Sequence, residues 1–261
     1  METMAAALDQ RFTPEEVHAF ERDGYIIVRG MCDHRLRDRM REVTLDHVQR
    51  LVEPIEFEAD LHYPGAPESY HAAGGRTVRR LKQAHGRDFV FTQWLTNPLL
   101  TGRLRQLLGP ELVCPLAHHN CIMTKEPRFS SDTGWHQDIR YWSFTRSELV
   151  NVWLALGPEN RENGCLKLIP GTHRTTFSRS QFDDQVFFRT DLAENQPLLA
   201  NEILAELEPG DVLFFHCRTL HAATRNFSSM TKHSVVFTFR SIDNPPLPGS
   251  RSAQSPELLI H

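Results

Sequence analysis

A histidine and a carboxylate two residues apart, in Trp135-His136-Gln137-Asp138, are the first place where this chain could do chemistry. Side chains at i and i+2 of an extended segment leave the same face, so His136 and Asp138 can address one point inside a β structure. That is half of a metal site. Spacing alone is weak evidence, because 14 histidines and 33 acidic residues among 261 lead to about two such pairs by chance. A further donor must come from elsewhere, and His173, His216, His221 and His233 all lie downstream. Pro209-Gly210 reads as a turn and Asp211 to Phe215 as a buried strand, with Leu220-His221 just beyond its end in a segment free to turn inward. Position therefore favours His221. His216, at the end of the apolar run, suits a packed histidine about as well as a ligand. Two imidazoles and one carboxylate leave positions open on a metal, an arrangement suited to non-haem Fe(II) and oxygen chemistry, although zinc accepts the same donors.

The elements that must position these groups fall into two textures. Thr13-Pro14-Glu15-Glu16 combines a hydroxyl cap, a proline at the first helical position and a capping-box Glu, and Asp23-Gly24 supplies a stop, so residues 14 to 23 should be helical. Tyr25 to Val28 reads as a strand. Asp33 opens a second helix with Leu36, Met40, Val43, Val48 and Leu51 toward a core before Pro54, and Asn97-Pro98 opens another, with Leu100, Leu104, Leu107 and Leu108, that ends at Gly109-Pro110. Between them, residues 54 to 80 turn irregular, and a loop that long is usually functional or mobile. After residue 110 come short apolar runs: Leu112 to Met123, Leu149 to Leu156, Cys165 to Ile169, Ile203 to Leu207, Val212 to Phe215 and Ser234 to Phe239. Short strands at close spacing predict a barrel or a two-sheet jelly roll. The simplest organisation is one domain spanning 1–261, with a helical part over about 13–110 and a β core over about 111–242.

Composition excludes several partner classes. With 29 basic and 33 acidic residues the net charge is −4, which offers no basic excess to grip nucleic acid or anionic lipid. The longest stretch free of Lys, Arg, Asp and Glu, Phe89 to Gly102, is too short to span a bilayer and contains Asn97-Pro98. The start, Met1 to Asp9, lacks the cationic lead and apolar stretch of a secretory signal. Cys32, Cys114, Cys121, Cys165 and Cys217 form no CxxC pair, so free thiols in a reducing, cytoplasmic setting are expected.

Five ordered blocks extend the metal motif: Trp135-His136-Gln137-Asp138 with Tyr141-Trp142; Val152-Trp153-Leu154-Ala155-Leu156; Glu162-Asn163-Gly164-Cys165-Leu166; Ile169-Pro170-Gly171-Thr172-His173; and Pro209 through His216 with His221 and Asn226. Over about residues 110 to 240 this pattern resembles the phytanoyl-CoA dioxygenase family. The resemblance implies a double-stranded β-helix with flanking helices, Fe(II) held by His136, Asp138 and His221, and 2-oxoglutarate and O2 as cosubstrates. An arginine 11 residues beyond the last histidine binds the far carboxylate of 2-oxoglutarate in that family, and here the position holds Lys232. Lysine keeps the charge but gives up the planar fork. Arg225 is too near His221 to replace it easily, and Arg240 lies about 26 Å farther along a strand. The resemblance further places Lys82 against the cosubstrate, Trp153 as an aromatic wall of its pocket, Cys121 where a pocket methionine often stands, and Gln137 beside the metal without ligating it.

The reaction so implied is hydroxylation of a small molecule with release of succinate and CO2. Halogenating relatives lack the carboxylate ligand, so Asp138 argues against halogenation. Residues 54–80 and 174–201, the latter with Phe177, Phe182, Phe187, Phe188 and Arg189, are candidates to grip substrate or simply to close an apolar layer. No Lys/Arg cluster built for a CoA phosphate stands out. Rival readings are a metal-free binding jelly roll and a zinc hydrolase on the same ligands. His118 and His119 alternate across a strand, and both are assigned structural roles.

Overall fold

The computed structural model describes residues 11–261; Met1 to Asp9, on which the absence of an export signal rests, lie outside them. Thr13 Oγ1 accepts from the Glu16 amide while the Glu16 carboxylate accepts from Thr13 N–H, which closes the expected capping box and starts α1 (Pro14–Asp23). Gly24, at φ 77°, ends it and turns the chain into β1 (Tyr25–Val28). Asp33 caps α2 (His34–Gln49), which buries Met40 and Val43. Asn97 caps the helix Pro98–Leu108, which buries Leu100 and Leu104.

Three elements went unforeseen. Strands β2 (Ile55–Phe57) and β3 (Val78–Lys82) lie within or at the edge of the segment read as irregular. Val-Arg-Arg-Leu-Lys looks like a solvated run, yet Glu56 and Glu58 neutralise its arginines and let the strand be covered. Helix α3 (Phe89–Leu95) has seven residues, too few to display a period, and buries Val90, Phe91, Trp94 and Leu95. Pro98–Leu108 is therefore α4.

The run Leu112 to Met123 is two strands, β4 (Leu112–Pro115) and β5 (Asn120–Lys125). Both lie along one edge of the long strand that begins at Lys232: Val113 faces Arg240 and Asn120 faces Phe237. Seven residues of chain thus span what three residues of the partner span, and the surplus bulges out at 116–119, carrying His118 and His119 with it. The remaining strands are β6 (Thr133–His136), β7 (Leu149–Ala155), β8 (Leu166–Leu168), β9 (Ile203–Ala205), β10 (Val212–His216), β11 (His221–Ala223), β12 (Lys232–Ser241) and β13 (Glu257–Ile260). A short helix, α5 (Gln196–Leu199), precedes β9.

These strands form a nine-stranded sheet ordered β1-β10-β7-β12-β5-β3-β2, with β4 and β13 attached at β12, and a four-stranded sheet ordered β6-β11-β8-β9. All recorded pairings are antiparallel, and the result is the expected double-stranded β-helix, a jelly roll with helices on one side. Alternation sorts the large sheet's side chains. Ile122, Val152, Leu154, Phe214, Val235 and Phe237 face the helices, with Trp94, Leu100 and Leu104. Cys121, Trp153, Ala155, Leu213, Phe215 and Val236 face the small sheet's Leu166, Leu168, Ala205 and Ala223.

Phe214 and Phe215 show the sorting in adjacent residues. Phe214 is fully buried on the helix side, edge-on to Phe12 with centroids 5.2 Å apart, whereas Phe215 packs against His221 on the inner side. Phe214→Ala is expected to lower unfolding free energy by about 3–5 kcal/mol in a urea titration, the usual cost of emptying a buried aromatic site.

Candidate metal centre and cosubstrate cavity

His136 ends β6 and His221 begins β11, and the two residues face each other across that strand pair, with ring centroids 4.1 Å apart. Each ring is oriented by its own chain. Nδ1 of His136 lies 2.8 Å from the Gly134 carbonyl and Nδ1 of His221 lies 3.0 Å from the Thr219 carbonyl. A carbonyl can only accept, so Nδ1 carries the proton and Nε2 is left as a donor to a metal in both rings. Asp138 belongs to a 3-10 turn (Asp138–Tyr141) and not to the strand, but Gln137 is still extended, so the expected alternation carries Asp138 back to the face of His136. Its Oδ1 lies 3.5 Å from His136 Nε2 and 3.6 Å from His221 Nε2. All three residues are buried, and their donor atoms fall within 4.8 Å of one another.

The protonation states suit a cation. Burial, followed by the neighbouring His221, pushes His136 down to about 3, and burial lowers His221 against the pull of Asp138. Burial also opposes charge on Asp138, but His119 and His221 outweigh it and hold the carboxyl well below the usual carboxylate range. Two neutral imidazoles and one carboxylate are the forms in which these side chains ligate a divalent ion. Asn151 on β7 donates from Nδ2 to Asp138 Oδ2 at 2.7 Å and accepts at Oδ1 from Thr238 on β12 at 2.6 Å, fixing the carboxylate's outer oxygen. Asn151 is fully buried and was missed, since nothing in its local pattern separates it from a strand residue.

Of the two bulge histidines only His119 faces the triad. Its Nε2 lies 3.1 Å from Asp138 Oδ1, and although burial works against its charge, Asp138 lifts it to about 9. His118 instead stacks on Trp142 with centroids 4.6 Å apart and approaches Ser252 Oγ. The rival ligands stay apart: His216 accepts from the Arg218 amide beside the His173 ring, and His233 is buried elsewhere.

A cavity opens from the triad between the sheets, walled by Trp153, Leu166, Phe215, Lys125 and Lys232. Lys232 and Trp153 are thus brought to it together, with the ammonium 5.0 Å from the indole centroid. Lys82 and Cys121 are not in this wall; Arg80 and Met123, each two residues away on the same strands, are. Lys82 is half-exposed and 3.9 Å from Glu56, and Cys121 packs against Met123. The Gln137 side chain turns away and donates to the Arg218 carbonyl. Arg79 also reaches the wall, because β2 and β3 pair as Glu56–Arg80 and Phe57–Val78, which leaves Arg79 as the extra residue of a bulge. A second cavity meets the first at Arg80, His119, Thr133, His136 and Asp138 and is lined by Tyr63, Arg140, Trp142 and Arg251.

The family model for phytanoyl-CoA dioxygenase (PhyH) matches residues 20–234. The chain belongs to the phytanoyl-CoA dioxygenase family. A probable phytanoyl-CoA dioxygenase of Caenorhabditis elegans is 23% identical over 219 residues, covering 81% of this chain and 70% of that protein. An ectoine dioxygenase of Bordetella parapertussis is 23% identical over 248 residues, covering 88% and 76%. Among solved structures, EctD from S. alaskensis with 2-oxoglutarate and 5-hydroxyectoine superposes with a TM-score of 0.76 at 19% identity, over 94% of this chain and 82% of that one. The carbocyclase SnoK from nogalamycin biosynthesis gives 0.71 at 19% identity, over 96% and 97%.

Within this family member, Asn151→Ala is expected to weaken Fe(II) binding about 10- to 100-fold, the usual effect of losing a partner that orients a ligand. Anaerobic titration with Fe(II) followed by assay of bound iron measures it.

Proposed function

We propose that this Fe(II)- and 2-oxoglutarate-dependent dioxygenase hydroxylates a small molecule, with His136, Asp138 and His221 holding the metal. The observation that supports this best is that the triad lines one cavity and that His136 and Asp138 also line a second that adjoins it. One has an apolar wall that also carries lysines and suits a dicarboxylate; the other has aromatic and cationic walls and suits a primary substrate. When bound, the ferrous ion and 2-oxoglutarate supply the oxidative decarboxylation that yields succinate and CO2 and activates oxygen. The chain's own residues set the geometry. His136 and His221 present Nε2, Asn151 holds Asp138, and Trp153 with Phe215 keeps water from the cosubstrate side. Asp138 fills the position that a halide needs, which favours hydroxylation.

The mouth of the substrate side joins the two segments expected to grip substrate. Phe187 stands 5.9 Å from the His136 ring and 5.5 Å from Tyr63, with Arg140 stacked on it at 4.1 Å. Phe177, Phe182 and Phe188 instead pack with Trp135 and Leu220, so only one of the four aromatics meets the metal side. The helices and the β core are read as one catalytic domain, which the apolar layer between them supports. A cytoplasmic setting fits the five free cysteines, and no described helix is long and apolar enough to cross a membrane.

Fe(II) and 2-oxoglutarate added without oxygen should produce the visible charge-transfer band of the chelate in the wild type and none in His136→Ala. A colourless wild type, or an oxygen-independent hydrolysis that zinc restores, contradicts the reading. Admitting air should then release succinate, at a rate that the right primary substrate increases.

A further inference from the structure

A third cavity, of about 540 Å³, reaches none of the metal ligands. It lies between α2 and the starts of β3 and β12, and it is larger than the two cavities that meet at the triad, about 60 and 240 Å³. Alternation along β12 supplies its floor: His233 faces the helices, on the side of Val235 and Phe237. Arg41, Leu45 and Val48 recur at helical spacing on one face of α2 and form the opposite wall, continued by Leu51 and Met230. Leu45 and Met230 are 40% and 64% exposed, so the apolar part of this wall is open to solvent.

The polar groups of the cavity are left without partners inside the protein. His233 is 7% exposed, yet its ring hydrogen-bonds to no group among the described residues. A buried polar side chain in that state is costly unless something in the cavity satisfies it. Burial, then Arg41 and Lys232, push the ring down to about 4, so it is neutral and has one N–H to donate. Arg41 pairs with no carboxylate among the described residues, and Arg76 meets only the Phe57 ring, at 5.7 Å. Lys232, also in the wall, is cancelled by Glu159 at 2.9 Å. The wall holds one carboxylate, Glu126, which burial pushes up. Two guanidiniums against one carboxylate leave a positive charge beside an apolar surface and an unused imidazole N–H.

We propose that this cavity is a second binding site, separate from the reaction, for a monoanion with an apolar body, the chemistry of a medium-chain carboxylate. Arg41 and Arg76 supply the charge and His233 the N–H, while Leu45, Val48, Leu51 and Met230 cover the chain. The volume is that of an ordinary small-molecule site. It stands back to back with the cosubstrate cavity, because Thr124 and Lys232 belong to both walls, but it requires neither the metal nor 2-oxoglutarate.

Isothermal titration of the full chain with octanoate tests this, once with the metal-free protein and once with Fe(II) and 2-oxoglutarate present and oxygen excluded. One saturable site of the same affinity is expected in both. 1-Octanol, which lacks the charge, and acetate, which lacks the chain, should each bind at least about 10-fold more weakly. Arg41→Met and Arg76→Met replace exposed side chains and should each weaken octanoate about 10-fold while leaving 1-octanol within about twofold. Arg35→Met, at an exposed arginine of α2 outside the cavity, should change nothing. No saturable binding of octanoate to the wild type, an affinity that survives both cavity substitutions, an equal loss in Arg35→Met, or displacement of octanoate by 2-oxoglutarate overturns the proposal.

Discussion

Two neutral imidazoles and one ionised carboxylate, held together out of water, are the constraint on which the rest of this structure depends. Neither state is free of cost in a buried site. The carboxylate must be kept charged against desolvation and the imidazoles must be kept from taking a proton from it. Burial keeps the imidazoles neutral, His119 and His221 keep Asp138 charged, and backbone carbonyls decide which nitrogen of each ring carries the proton. Gly134 and Thr219, each two residues before its histidine, occupy Nδ1 and leave Nε2 facing Asp138. Because those carbonyls belong to the strands that carry the rings, the orientation is set wherever β6 and β11 pair, and that pairing places His136 opposite His221.

The large sheet supplies what the small one lacks. Its outer face is packed on α3 and α4, so the inner face is a rigid wall from which Asn151, Trp153, Lys125 and Lys232 project into the space between the sheets. Alternation makes this division automatic: Phe214 and Val152 fasten the sheet to the helices while their neighbours Phe215, Asn151 and Trp153 serve the site. A one-residue slip of β7 or β12 would send the polar residues into the helical core and the apolar ones into the cavity. The apolar core and the metal centre are thus two sides of one register.

That logic explains what could be read from the chain and what could not. The apolar runs and caps reveal α1, α2, α4 and the β core, because their periods and termini are local properties. His136 and Asp138 are legible as a pair, since extended backbone alone brings them to one face, and the ordered blocks of the family pattern single out His221. Asn151 and His119 are illegible for the opposite reason. One lies in a strand where polarity has no local meaning, and the other sits in a bulge created by the mismatch between β12 and the chain that spans it. Arg79 enters the cavity through a bulge, and β3 stays hidden because its charges find partners only in the folded state. Pairing across the sheet, not local pattern, decides each of these.

The lysine at position 232 shows how a substitution at one site spreads through a buried network. An arginine there would reach a carboxylate with a planar fork; a lysine offers a single compact charge. In this chain that charge is bound to Glu159, and Glu159 is in turn held by Trp153 and Ser234, so the whole group acts as a neutral, preorganised wall. Removing Lys232 alone would strand a carboxylate that is almost wholly buried, which is why its loss would register first as instability and only secondarily as weaker cosubstrate binding.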